Sequence, residues 1–208
     1  QSNGFKGQIT HKIFDISNIL SNFNSSLIDK EQNVPEGHYE SDSMKSTFVP
    51  NRNAIFFSLI YGYAISLAND YKEKISISIG AHSGDHTIYP DCRLVFFEKL
   101  FESFQIGNWD SDRIELYIPY IDMDKKEILM DAEKSINTLK LDFDTIFKNT
   151  ITSYAPDNDG VSSGKTGSDI ERILAFNSLN RKDPIKYQDS WDQVLDNALK
   201  TEKDFISE

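Results

Sequence analysis

This 208-residue chain has a single cysteine, Cys92. That excludes an intrachain disulfide framework and any cysteine-based zinc cage. Basic residues are also scarce: 22 Lys+Arg stand against 33 Asp+Glu, a formal net charge of -11. So acidic a balance argues against direct binding of nucleic-acid backbones, although it leaves room for a local basic pocket. No apolar run of about 18 residues occurs, so no membrane span is expected. A basic–apolar signal peptide is also missing, and the expected compartment is cytoplasmic. The chain opens Gln1-Ser2-Asn3-Gly4 without Met, which reads as an expression remnant, a processed end or a fragment. With 38% apolar and 26% charged residues the composition is globular, and the length suits one domain with a substantial core.

The apolar residues carry a recognisable rhythm. Ile13-Phe14-Asp15-Ile16 reads as a strand or short helix, followed by a loop through Val34-Pro35-Glu36-Gly37. The run from Ala54 to Ala68 is too long and too uniformly apolar for a strand and predicts a buried helix, with Asn53 as its N-cap. Ile75, Ile77 and Ile79 alternate with serines, which predicts a strand. Phe97, Leu100, Phe101 and Phe104 share one face of a second helix. A second strand follows at Ile114, Leu116 and Ile118, ending at Pro119. Asp124 and Glu127 have the spacing of a capping box for a third helix carrying Ile128, Ala132, Ile136 and Leu139. After Thr145 the chain is polar to Gly167, and helical character resumes from Ile170 to Phe176. The alternation implies an α/β fold, a parallel sheet with covering helices and a helical C-terminal part.

Functional side chains concentrate in Gly80 to Arg93, GAHSGDHTIYPDCR, just past a predicted parallel strand, where α/β proteins commonly bind ligands. The plain alternative is a solvated loop with turn glycines. A metal cluster of His82, Asp85 and His86 lacks a helical context and an evident fourth ligand. Gly164-Lys165-Thr166 invites a phosphate-loop reading, but the preceding glycine is Gly160 where the pattern needs one at Asp159, and no apolar strand leads in. The phosphate-loop reading is rejected. Cys92 reads more simply as a packed thiol than as a nucleophile.

Several strings in order add a family resemblance. Val34-Pro35-Glu36-Gly37-His38-Tyr39, Met44-Lys45-Ser46-Thr47, Val49-Pro50-Asn51-Arg52-Asn53 and Gly84-Asp85-His86-Thr87-Ile88-Tyr89-Pro90-Asp91-Cys92-Arg93 resemble the 7-cyano-7-deazaguanine synthase family of queuosine-precursor biosynthesis. Pro119 with Lys125, Glu127 and Ile128 is similar to another family element, as are Thr150 to Tyr154 and Glu171-Arg172 through Ala175-Phe176. The resemblance runs from about His11 to Phe176. It implies an adenine-nucleotide-hydrolase-like fold and, with ATP and magnesium, adenylation of 7-carboxy-7-deazaguanine, amide formation from ammonia and dehydration to a nitrile. It also implies catalytic roles for His82, Asp85 and Asp91, and substrate or nucleotide binding by Arg52, Asn53, Tyr89, Arg93 and Lys125. The implied partners are the deazaguanine and, for assembly, a second copy or another chain.

Two departures shape the expectation. The family's pyrophosphate-binding loop and its first strand have no counterpart in the sequence. The family's four zinc cysteines fall on Ser153, Ser163, Thr166 and Asp169, so residues 150–176 read as a degenerate zinc segment that holds no zinc. Residues 155–167 are then expected to be loosely ordered with low exchange protection, strong protection meaning a substitute hydrogen-bond or partner clamp. The leading reading is a zinc-less, incomplete ligase. Its alternatives are a ligase that attaches the deazaguanine to a partner protein's amine, and a non-catalytic deazaguanine binder or assembly subunit.

Overall fold

The alternating isoleucines near the middle of the chain do form two strands, β1 (Ile75–Ser78) and β2 (Ile114–Tyr117). They pair in parallel, with Ile75 opposite Ile114 and Ile77 opposite Leu116. Ile77 and Ile114 are buried, while the serines between them face outward. The structure is a computed structural model describing residues 9–29 and 31–207, so the opening Gln1 to Gly4 lie outside the described residues. Among the described residues this two-stranded pair is the whole sheet, and the chain is otherwise mostly helical. The expected covering helices are present, but the sheet they cover is small.

In chain order the helices are α1 (Ser17–Leu20), α2 (Arg52–Tyr71), α3 (Asp85–Ile88), α4 (Leu94–Gly107), α5 (Lys125–Thr138), α6 (Phe143–Lys148), α7 (Gly167–Ser178) and α8 (Trp191–Ile206). Helix α2 begins earlier and ends later than its apolar run suggests. Its N-cap is Asn51 in a left-handed conformation, not Asn53. Asn53 is inside the first turn, and its amide serves the 89–92 turn instead. Only one face of α2 is buried: Phe57, Tyr61, Ala64 and Ala68, spaced for a single stripe. Phe56, Leu59 and Ile60 are exposed, against the expectation of a fully buried helix. The buried stripe meets α4 ring to ring, with centroids 6.1 Å apart for Phe57 and Phe97 and 5.1 Å for Tyr61 and Phe104.

The capping box of α5 is formed: Glu127 N–H donates to Asp124 Oδ1 at 2.7 Å and Asp124 N–H to Glu127 Oε2 at 2.9 Å. Leu129 and Ile136 are its buried positions, whereas Leu139 is half exposed. The stretch after Thr145 is less irregular than it reads, since α6 runs on to Lys148. Helix α8, beyond the elements expected from the sequence, opens with a capping box of Ser190 and Gln193 and buries Val194 and Ala198 against Ile170 and Ile173 of α7. Among the described residues no helix is long and apolar enough to cross a membrane.

Candidate active site

The chain past β1 does not stay a loop. Gly80 to Arg93 folds into the single turn α3 and a 3₁₀ turn at Pro90–Cys92, which together aim three side chains inward. His82 and Asp91 are buried, and Asp85 is the first residue of α3. Tyr39 OH donates to Asp85 Oδ1 at 2.8 Å, and His82 N–H donates to Asp85 Oδ2 at 3.3 Å. The His82 ring is 3.6 Å from Asp85 on its Nε2 side and 3.8 Å from Glu171 Oε1 on its Nδ1 side. Glu171, on α7, also takes Lys125 Nζ at 2.6 Å on Oε2. The Lys125 ammonium lies 5.8 Å from the centre of the Tyr39 ring. Gly84 permits this approach, because a Cβ there would come within 2.6 Å of Glu171 Oε1 and 2.9 Å of the His82 ring. A cavity of about 190 Å³ opens beside it, walled by His38, Tyr39, Gly84, Ile170, Glu171 and Glu202. Larger cavities of about 560 and 430 Å³ lie near residues 157–161 and 185–191, away from the His82 cluster.

A second group adjoins the first across Tyr39 and Tyr89, whose ring centroids are 6.2 Å apart. The Tyr89 phenol shares a 2.5 Å hydrogen bond with Thr47. Asn53 Nδ2 donates to the Asp91 carbonyl at 3.2 Å and to Cys92 Sγ at 3.3 Å, while its backbone N–H reaches Asp91 Oδ2 at 3.4 Å. Arg52 is close enough for its charge to favour the ionised forms of Tyr89 and Cys92. Burial outweighs that help. It pushes the Tyr39 and Tyr89 phenols far above their ordinary range, so both stay neutral, and with Asp85 and Asp91 nearby it pushes the Cys92 thiol up to about 12. A thiol held protonated in this way is no nucleophile at neutral pH, in line with the packed-thiol reading.

The structure thus brings His82, Asp85 and Lys125 together, and sets Arg52, Asn53, Tyr89 and Asp91 alongside them. Arg93 does not join them: it is exposed, and its Nε–H donates to the His86 carbonyl at 3.2 Å. Glu171 and Tyr39 were absent from the expected site, although both lie in strings that carry the family resemblance. The arrangement can hold and move a proton at His82, offer a cation at Lys125, and present neutral phenolic donors.

Two of the expectations concern the later segment. The amides of Gly164, Lys165 and Thr166 donate to Ser162 Oγ, Ser163 Oγ and Asp169 Oδ2 at 3.3, 3.2 and 3.1 Å, which leaves no nest of amides there for a phosphate. Within the segment Ser162 and Thr166 are buried and Gln188 N–H donates to the Ser162 carbonyl at 3.0 Å, while residues 156–160 are exposed. Among the described residues no group of three or more His, Cys, Asp and Glu side chains is placed to hold a metal ion.

Residues 5–180 match the family described as "Queuosine biosynthesis protein QueC". The chain is 42% identical to the "7-cyano-7-deazaguanine synthase 1" of Colwellia psychrerythraea over 180 residues, 86% of this chain and 75% of that protein. It is 41% identical over 183 residues to the 7-cyano-7-deazaguanine synthase of Psychromonas ingrahamii, covering 88% and 75% of the two chains. The synthase of Pseudoalteromonas translucida is 42% identical over 180 residues, with 86% and 75% covered. No solved structure gives a significant match.

Proposed function

The chain belongs to the queuosine biosynthesis protein QueC family, and from that premise we propose that it is the deazaguanine-handling part of an ATP-dependent ligase that converts 7-carboxy-7-deazaguanine to its amide and nitrile. The observation that carries this reading is the cluster of Tyr39, His82, Asp85, Lys125 and Glu171 just past the carboxyl end of β1. Lys125 is a cation held by Glu171, which walls the cavity, and an incoming substrate carboxylate competes with Glu171 for it. His82, flanked by two carboxylates at 3.6 and 3.8 Å, takes up and returns the protons that amide formation and dehydration move. Asp91, braced by Asn53, is the acceptor for the N–H edge of the base, and Arg52 adds positive charge beside it.

Family membership implies ATP use. The amides of Gly164, Lys165 and Thr166 are taken up by Ser162, Ser163 and Asp169, so no activation step is assigned to that turn. That same observation favours a second reading, a non-catalytic binder of the base.

The test mixes the 208-residue chain with ATP, magnesium, ammonia and 7-carboxy-7-deazaguanine, follows AMP and pyrophosphate, and measures base binding by calorimetry. Base binding without AMP release is expected from this chain alone, and Lys125→Ala should weaken binding about tenfold or more. AMP release that appears once a phosphate-loop segment is supplied separates the partial ligase from the binder. Vigorous AMP release from the chain alone would show a complete enzyme, and no base binding would sink both readings.

A further inference from the structure

The family resemblance implies a structural zinc on four thiolates whose positions here are Ser153, Ser163, Thr166 and Asp169. These four side chains do converge, but on one another. The hydroxyls of Ser153, Ser163 and Thr166 all donate to a single oxygen, Asp169 Oδ2, at 3.0, 3.1 and 2.7 Å. Thr166 N–H adds a fourth bond to Oδ2 at 3.1 Å, and Ser162 Oγ donates to Oδ1 at 2.5 Å. We propose that the Asp169 carboxylate takes the place of a metal ion as the hub of this segment, making it a metal-independent clasp.

The chemistry of the donor set supports the substitution. Zinc takes thiolate, imidazole and carboxylate ligands, and neutral hydroxyls do not replace thiolates, so one carboxylate among three hydroxyls is no zinc site. The polarity of the hub is inverted: an anion sits at the centre and protons point inward. A carboxylate is acceptor-only when ionised, and here four donors converge on Oδ2 and one on Oδ1. Asp169 is also the third residue of α7, where the unpaired amides and dipole of a helix start favour negative charge. No metal cation is needed to balance it.

The clasp reaches well beyond its own residues. Ser162 forms a bridge with Tyr187, and Thr166 forms one with Glu36. Gly164, at φ +74, lies so close to α8 that a Cβ would come within 2.6 Å of Val194. Gly167 meets the Tyr39 backbone as closely, at 2.8 Å from such a Cβ. The hub therefore ties α8 and the Tyr39 segment to the start of α7, two residues from Glu171. This inference rests on the geometry of the segment and holds whether or not the chain turns substrate over.

Three measurements test it. Protein from zinc-supplemented culture should carry far less than one zinc per chain by elemental mass spectrometry, and its Tm should not move on chelation. Asp169→Ala should lower Tm by on the order of 10 °C and speed hydrogen exchange at residues 162–166. If that variant does not fold, Ser162→Ala, which removes one donor and keeps the carboxylate, should still cost roughly 3 °C and the same local protection. One zinc per chain, a Tm that falls with chelator, or unchanged exchange in these variants would each overturn the proposal.

Discussion

Asp169 and Glu171 stand two residues apart near the start of α7 and serve different networks. Asp169 is fully buried, and its oxygens receive five donors between 2.5 and 3.1 Å. Glu171 keeps a fifth of its side-chain surface exposed, holds one close partner in Lys125, and leaves His82 3.8 Å away across a cavity wall. A saturated carboxylate has no capacity left for a ligand and works as structure. One with a single partner and a neighbouring cavity can exchange that partner for a substrate. The same contrast recurs between networks. Asp169 and the Arg172–Asp183 pair are held by polar clamps, whereas the region after β1 brings titratable groups near one another without pairing them all.

The largest effect should come from the other closed network of the C-terminal region. Arg172 and Asp183 are an ion pair with 4% and 0% of their side-chain surface exposed. The guanidinium donates to both Asp183 oxygens, to Thr150 Oγ1 at 2.9 Å and to the Phe147 carbonyl at 3.2 Å. Tyr187 OH donates to the same carboxylate at 2.7 Å. Removing one partner of such a pair strands the other without water, so Asp183→Ala should cost about 3–5 kcal/mol in urea unfolding. A loss below about 1 kcal/mol would mean that water enters this region freely, and the contrast with the site would fail.

Glu171→Gln asks the matching question of the open network. Its pair with Lys125 is partly solvated, so the expected change in stability is within about 1 kcal/mol. Affinity for 7-carboxy-7-deazaguanine should rise, because Lys125 loses a competing anion. If the variant instead unfolds as easily as Asp183→Ala, Glu171 is a structural residue and the distinction between the two carboxylates collapses.

How much of this could be read in advance depends on whether the signal is local. The isoleucine alternation of β1 and β2, the phenylalanine face of α4 and the Asp124/Glu127 box all lie within a few residues, and each appears where it was read. His82 came from the loop past the predicted strand, and Asp85 and Lys125 from motif strings. Glu171 lies in such a string too, but its pairing with Lys125, 46 residues away, leaves no trace in spacing. The Asp169 hub was hidden for a similar reason. Serine, threonine and glycine between Ser153 and Gly167 read as a loop by type, and only the fold shows their hydroxyls meeting at one carboxylate. Helix α8 did carry a signal, Ser190 and Gln193 as a box with Val194 and Ala198 one turn apart, but its polar composition masked it.

The smallest effect at neutral pH belongs to Cys92, which sits between the two behaviours: buried like the clasp, yet adjoining the site. Its thiol accepts from Asn53 Nδ2 at 3.3 Å and is pushed up to about 12, first by burial and then by the charges of Asp85 and Asp91. Below the ordinary thiol range near 9, both folded and unfolded chains hold the proton, so Cys92 adds no pH dependence there. Above it the unfolded chain releases the proton first, and stability should fall from about pH 9 towards pH 12. Tyr39 and Tyr89 are shifted in the same direction, so the wild-type slope alone is ambiguous. The informative comparison is with Cys92→Ala, which should be flatter than wild type between pH 9 and 10.5 in urea titrations. The native thiol should also react with iodoacetamide at pH 8 far more slowly than the unfolded chain does, since little thiolate forms. Equal rates would place Cys92 at an open, electropositive surface, and its loop would then belong with the exposed side of the site rather than with its packed floor.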